Sequence, residues 1–236
     1  MTDSKFPICE FADGPLLAQA FADWTAALLA AGVAARGLAL LVVSGGLTPK
    51  LYFEALSRRD LDWSRVAVTL ADERRVPDDS PRSNARLVRE TLLQGKAAKA
   101  QFVPLADSRL TPEHEYSNAA ARIAQLPMPA DLVVLGMGDD GHTASWFPHS
   151  PALSEAIDPA ARALVAAAPA PDGLEPRLTL TGRALLRARK IALQIEGPKK
   201  AEVFARALED GPVEEMPIRA VLRGAPDRLK VFHATA

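Results

Sequence analysis

The sequence predicts an α/β fold: a Rossmann-like, mostly parallel sheet covered by helices on both faces. Three observations carry this expectation. The hydrophobic period switches repeatedly between helical spacing and short continuous apolar runs, as it does where strands are buried beneath crossover helices. Those apolar runs end in glycine-rich or charged segments, which is where an open α/β sheet builds its ligand sites. The composition, 48% hydrophobic and 24% charged over 236 residues, is that of a globular chain, and its length suits one large core. A single domain over residues 1–236 is expected.

In chain order, Asp13-Gly14-Pro15 opens a helix with Leu17, Phe21, Trp24, Leu28 and Ala31 on one face, stopping near residues 32–37. Residues 38–43 read as a buried strand, 66–70 as a second and 131–135 as a third. Later apolar segments at 162–167, 178–180, 191–195 and 229–232 alternate with helical patterns such as 198–208. The stretch Pro169-Ala170-Pro171-Asp172-Gly173 reads as a surface loop. No repeat of fixed period interrupts the pattern.

Charge and cysteine content narrow the function. With 28 basic and 29 acidic side chains the net charge is -1, so no global field draws the chain to nucleic acid or an anionic membrane. Any anion it binds must be held locally. The lone Cys9 excludes a disulfide framework or a multi-cysteine zinc site and suits a reducing compartment. The N-terminal residues show no basic-then-apolar signal pattern, and no apolar run is expected to approach the roughly 18 residues of a membrane span. A cytoplasmic location is the expectation.

Three strand ends carry unusual chemistry. In Ser44-Gly45-Gly46-Leu47-Thr48-Pro49 two glycines let backbone N–H groups approach an anion, two hydroxyls can donate, and Pro49 suits the first turn of a helix whose dipole favours phosphate. An ordinary capped strand-to-helix turn fits the loop equally well. Asp72-Glu73-Arg74-Arg75 either positions a substrate or forms a solvated ion-pair cluster, and taken alone the second is favoured. In Gly136-Met137-Gly138-Asp139-Asp140-Gly141-His142 a carboxylate lies two residues from an imidazole. That pairing is a usual source of a general base or acid near neutral pH, the alternative being a histidine that caps the turn.

Metal chemistry is disfavoured. His114, His149 and His233 form no HxH or HExxH spacing, and Asp139 with Asp140 lacks a convincing third ligand. No Gly-x-Ser-x-Gly elbow occurs, which argues against a serine esterase. Downstream, Arg177 and the Gly197-Pro198-Lys199-Lys200 segment at a helix start are candidates to complete an anion site.

Taken in order, SGGLTP, ADERRVP, SNARLVRETLL, DLVVLGMGDDGHTASWFP, RLTLT and GPKK resemble the 6-phosphogluconolactonase family, which is related to the glucosamine-6-phosphate deaminases. The likeness spans about residues 38–232, and GDDGHTAS is its most specific piece. It implies a Rossmann-like sheet and hydrolysis of 6-phosphogluconolactone to 6-phosphogluconate in the pentose phosphate pathway. It implies no required cofactor. The partner is a small-molecule sugar phosphate, with no nucleic acid and no membrane, and a monomer is compatible with the likeness. Position by position it implies phosphate contacts from Ser44, Gly45, Gly46 and Thr48, with Arg177 and Lys200 as basic partners and Lys199 as the adjacent alternative to Lys200. It also implies active-site roles for Asp72, Arg74, Asp140 and His142.

Two other readings stay open. The deaminase and isomerase relatives carry an aromatic residue where this chain has Arg74 and an Ile-Ala-Phe-Asn-Glu continuation after the histidine, whereas here Thr143-Ala144-Ser145-Trp146-Phe147 follows, without that carboxylate. This favours the lactonase. A non-catalytic sugar-phosphate sensor would keep the anion loop but would not need the Asp140 and His142 pair.

Overall fold

The computed structural model describes residues 6–169 and 173–236, so the centre of the expected loop at 169–173 lies outside the described residues. The strands are β1 (Ile8–Phe11), β2 (Ala39–Val43), β3 (Val66–Leu70), β4 (Asp72–Arg74), β5 (Gln101–Val103), β6 (Leu132–Leu135), β7 (Val165–Ala168), β8 (Arg177–Leu180), β9 (Lys190–Glu196) and β10 (Leu229–Ala234). The helices are α1 (Gly14–Arg36), α2 (Lys50–Ser57), α3 (Asn84–Thr91), α4 (Pro112–Ala124), α5 (Leu153–Ile157), α6 (Gly182–Leu185), α7 (Pro198–Leu208) and α8 (Ile218–Gly224).

Seven strands form one sheet in the order β1-β10-β9-β6-β2-β3-β5, and every neighbouring pair is parallel. Every residue of β2, β3 and β6 is buried, which requires cover on both faces and explains why these segments read as unbroken apolar runs. The order reverses between β2 and β6. From β2 the chain goes to β3 and β5 on one side and later returns through β6, β9 and β10 on the other, so the carboxyl ends of β2 and β6 flank a switch point.

The remaining strands form a separate antiparallel sheet, β4-β8-β7, which the apolar pattern did not distinguish from the main one. The segment expected at 162–167 accordingly starts late. Thr181 draws the preceding chain into irregular contacts, its hydroxyl donating to the Ala163 carbonyl and its N–H to that of Leu164, and pairing begins only at Val165. β1 and β5 went unread because they are short and only partly buried, and β4 because its sequence is Asp-Glu-Arg.

Helix α1 begins and ends where expected but differs in its buried face. Asp13 caps it, its carboxylate accepting the Leu16 N–H at 2.9 Å, and Gly37 closes it in the left-handed region at φ 81°. The helix runs through Gly32, where a Cβ would stand 2.7 Å from Asp131 Oδ1. Its buried face is Leu17, Phe21, Thr25, Leu29 and Gly32; Trp24 and Leu28 are half-buried flanks and Ala31 is exposed. At 23 residues α1 is also long and apolar enough to cross a membrane by length and composition, contrary to the sequence expectation. Here that apolar face stacks Phe21 on Tyr52 of α2 and on Phe232 of β10, at ring separations of 4.1 and 4.2 Å, as a core helix does.

Asp131 pins the start of the central strands. Buried, it accepts the Leu40 N–H at 2.8 Å, receives Arg36 from the last turn of α1, and lies 3.9 Å from Arg189. Replacing it with Ala leaves the buried Leu40 N–H without its acceptor, while Arg36, 37% exposed, can turn its charge to water. The expected cost for Asp131→Ala is therefore that of one orphaned donor, about 1–3 kcal/mol, read as a lowered denaturation midpoint at unchanged slope.

Candidate active site

Beyond the switch point lies a cleft of about 290 Å³. Its walls are the 44–49 loop after β2, the 134–138 segment that ends β6, the turn at 142–144, the end of β9, two side chains from β4 and one each from β8, α3 and α7. Of the residues singled out in the sequence, Ser44, Gly45, Gly46, Thr48, Asp72, Arg74, His142, Arg177 and Lys200 all line it, and Asp140 stands behind His142.

Asp140 and His142 form a close pair. The ring Nδ1 lies 2.6 Å from Asp140 Oδ1, which also accepts the His142 backbone N–H at 3.0 Å. An ionised carboxylate can only accept, so Nδ1 carries the proton and Nε2 keeps its lone pair. Burial alone would raise the Asp140 pKa, but the hydrogen bonds it accepts from His142, with that ring's charge when it is protonated, hold it below the ordinary carboxylate value. The turn is tight: Gly138 N–H donates to the His142 carbonyl at 2.8 Å, and Gly141 N–H to the Gly138 carbonyl at 3.1 Å. A Cβ on Gly138 would stand 2.1 Å from Nδ1, so that glycine makes room for the imidazole. The other face of the ring meets Phe147, at a centroid separation of 5.1 Å.

Phe147 also carries the Arg177 guanidinium, 5.1 Å from its centroid. Arg177 is buried, and its Nη1 lies 3.8 Å from Asp72 Oδ2. Burial lowers its pKa and the nearby Arg74 and Arg82 add to that, while Asp72 opposes it. The Asp72-Glu73-Arg74-Arg75 segment, for which a solvated cluster was favoured, is instead largely buried. Asp72 accepts from Ser145 Oγ at 2.5 Å, and Asn84 Nδ2 donates to its carbonyl at 2.9 Å. Glu73 turns away from the cleft and caps α3, accepting from the N–H groups of Arg74, Asn84 and Ala85. Burial nevertheless raises its pKa, outweighing those donors.

Three buried donors lining this cleft, Ser44 Oγ, Arg74 Nε and Arg177 Nε, have no protein partner. Buried polar groups are otherwise nearly always paired, so three unpartnered donor atoms on residues lining one cavity single that cavity out. The glycines of the 44–49 loop divide the work. Gly46 sits at φ 98° with open space where a Cβ would be, as backbone meant to meet a ligand requires. Gly45 is constrained differently: a Cβ there would fall 1.8 Å from Asn84 Oδ1, so its first duty is to seat Asn84.

Asn84, Ser145, Phe147 and Gln194 were not assigned roles from sequence. Asn84 and Ser145 lay inside recognisable segments, and their signal was proximity to an acidic strand end that only the fold reveals. Gln194, buried in β9, donates to the Thr48 carbonyl at 3.3 Å and steadies the anion loop from below. Asp139 accepts from two lysines at the start of α7: Lys199 donates to Oδ2, and Lys200 to Oδ1 at 2.5 Å. Among the described residues no cluster of three or more His, Cys, Asp or Glu is placed to hold a metal ion.

A parallel sheet with a cleft and an Asp–His pair at its switch point defines a class, and the matching family model names it. Residues 12–231 match the model described as glucosamine-6-phosphate isomerases/6-phosphogluconolactonase, and the chain belongs to that family. Within it, the chain is 51% identical to a 6-phosphogluconolactonase of Rhizobium meliloti, over 95% of this chain and 97% of that one, and 48% identical to one of Mesorhizobium japonicum, over 95% and 93%. A solved 6-phosphogluconolactonase structure from Shewanella baltica superposes with a TM-score of 0.93 at 43% identity, covering 98% of each chain.

The lysine pair makes a titration prediction. Hydrogen bonds from Lys199 and Lys200 take the Asp139 pKa down to about 2. Because the folded value is depressed, the stabilisation is complete above the ordinary carboxylate pKa and is lost only as pH falls towards 2. The Asp139 carboxyl carbon, followed by NMR, should therefore titrate near 2 in the native protein and move up towards about 4 when both lysines are replaced by Ala. An ordinary midpoint in the native protein would contradict the pairing.

Proposed function

We propose that this chain is a cytoplasmic 6-phosphogluconolactonase, one domain over residues 1–236 that hydrolyses 6-phospho-D-glucono-1,5-lactone to 6-phospho-D-gluconate in the pentose phosphate pathway. The supporting observation is that one cleft holds both an imidazole whose Nδ1 is engaged by Asp140 and the basic side chains Arg74, Arg177 and Lys200 beside the hydroxyls of Ser44 and Thr48. A phosphorylated lactone needs both. Its carbonyl is already activated for attack, so the chemistry asks only for a fixed phosphate, an oriented water and a proton carrier.

In this reading His142 Nε2 takes a proton from water as the resulting hydroxide attacks the lactone carbonyl carbon. Asp140 holds the ring and stabilises its positive charge, and Arg74, or a backbone N–H of residues 138–141, stabilises the oxyanion. The bond from the carbonyl carbon to the ring oxygen then breaks. His142 returns its proton to that oxygen, and the new carboxylic acid ionises to solvent. Ser44, Gly45, Gly46, Thr48, Arg177 and Lys200 hold the phosphate, whose binding supplies the energy that fixes the sugar. Asp72, steadied by Ser145 and Asn84, faces the substrate hydroxyls and holds Arg177 in place.

Lactone hydrolysis measured above the spontaneous rate, with glucosamine-6-phosphate turnover in parallel, tests the reading. Hydrolysis should be fast with the 6-phosphorylated lactone and weak with unphosphorylated gluconolactone; equal rates would remove the phosphate from the argument, and deamination would favour the isomerase branch of the family. His142→Ala should lose roughly 100- to 10,000-fold in turnover while still binding 6-phosphogluconate. Near-native turnover would end its role as the base. Thr48→Val should weaken binding of the phosphorylated form by roughly 10- to 150-fold, the loss of one charge-assisted hydrogen bond.

A further inference from the structure

Asp139 is shared by two lysines that are not equivalent. Lys200 lines the cleft with its side chain 27% exposed, whereas Lys199 lies off the cleft and is 74% exposed. Two ammonium groups on one carboxylate leave a positive excess in the first turn of α7, an end where the helix dipole already disfavours cations. An anion nearby relieves it. Had Lys200 been the sole partner of Asp139, moving to an incoming anion would strip the carboxylate of its counter-charge, and the two events would compete. The second lysine removes that competition.

We propose that Asp139 and Lys199 form a counter-charge relay that frees Lys200 for the substrate phosphate. On binding, Lys200 Nζ exchanges Asp139 Oδ1 for a phosphate oxygen, while Lys199 remains on Oδ2 and keeps the carboxylate paired. On product release Lys200 returns. No covalent bond changes and no proton moves. Asp139 and Lys199 are thus positioning residues that act through Lys200. The inference rests on the reading of the cleft as a sugar-phosphate site.

The test is a double-mutant cycle in binding, by calorimetry at fixed low salt, with 6-phosphogluconate and, separately, inorganic phosphate. All side chains involved are at least partly exposed, and thermal melting confirms that each variant folds. Lys200→Ala should weaken 6-phosphogluconate binding by about 10-fold or more. Lys199→Ala should weaken it by about 3- to 10-fold, since Lys200 then leaves Asp139 bare, and the same substitution in an Asp139→Asn background should cost less than about twofold. Asp139→Asn alone should bind at least as tightly as the native protein. The KM of the lactone should follow the same pattern, with kcat of Lys199→Ala unchanged. An equal effect of Lys199→Ala in both backgrounds would reduce Lys199 to a distant charge and overturn the relay. Weaker binding by Asp139→Asn would do so too, by showing that Asp139 holds Lys200 in place instead of releasing it. If the native protein bound neither ligand, the sugar-phosphate reading would fall and the relay with it, whereas native binding without coupling would overturn the relay alone.

Discussion

The buried carboxylate of Asp72 is the constraint on which the cleft depends. A charge taken out of water needs partners, and it finds them on segments remote in sequence: the Ser145 hydroxyl after β6, the Arg177 guanidinium on β8 and the Asn84 amide at the head of α3. Asn84 in turn occupies the space a side chain on Gly45 would need, which carries the same network into the loop after β2. Satisfying one carboxylate therefore draws the strand-end segments into a single wall. The small antiparallel sheet exists in the same service, since pairing of β4 with β8 sets Asp72 opposite Thr179 and Arg74 opposite Arg177.

Electrostatically the cleft is the inverse of the molecule around it. A chain with a net charge of -1 has no reach for an anion at long range, yet here guanidinium, hydroxyl and ammonium donors converge on one opening. The donors nearest the sheet are held by packing: Arg177 by the Phe147 ring and Asp72, Ser44 by its backbone N–H to the Val134 carbonyl at 3.0 Å. Those at the rim, the lysines of α7, are held by Asp139. Side chains fixed in this way lose little further freedom on meeting a ligand, which is how preorganisation favours affinity.

How much of this was legible depended on what each segment owes to local pattern. The central strands and α7 were readable because burial on both faces writes continuous apolar runs and a proline at a helix start writes a boundary. The strand ends were readable as chemistry because an open parallel sheet offers its ligands nowhere else. What stayed hidden was tertiary. Asp72 and Glu73 look like surface charge in sequence, and only pairing with β8 and capping of α3 bury them. Phe147 reads as a core aromatic, and its place between His142 and Arg177 follows from the turn at 142–147. Ala144, in the left-handed region at φ 49°, is part of that turn, and alanine gives no local signal for such a conformation.

The glycines show why motif and mechanism are easily conflated. A glycine-rich loop after a strand invites the inference that backbone is being bared to a ligand, but of the cleft glycines only Gly46 and Gly136 leave open space where a Cβ would be. Gly45 is required by Asn84 and Gly138 by His142; each is small so that a neighbouring functional side chain can stand where its own would have been. The two readings have different consequences. A substitution at Gly46 strains the backbone at its positive φ but meets no neighbour, whereas one at a glycine that seats a side chain transmits the damage to whatever that side chain holds. Through Gly45 the damage reaches Asn84, and from there the carboxylate of Asp72; through Gly138 it reaches the pairing of Asp140 with His142. The loops are thus read best as packing solutions for the polar side chains of the cleft, with open backbone left over at Gly46.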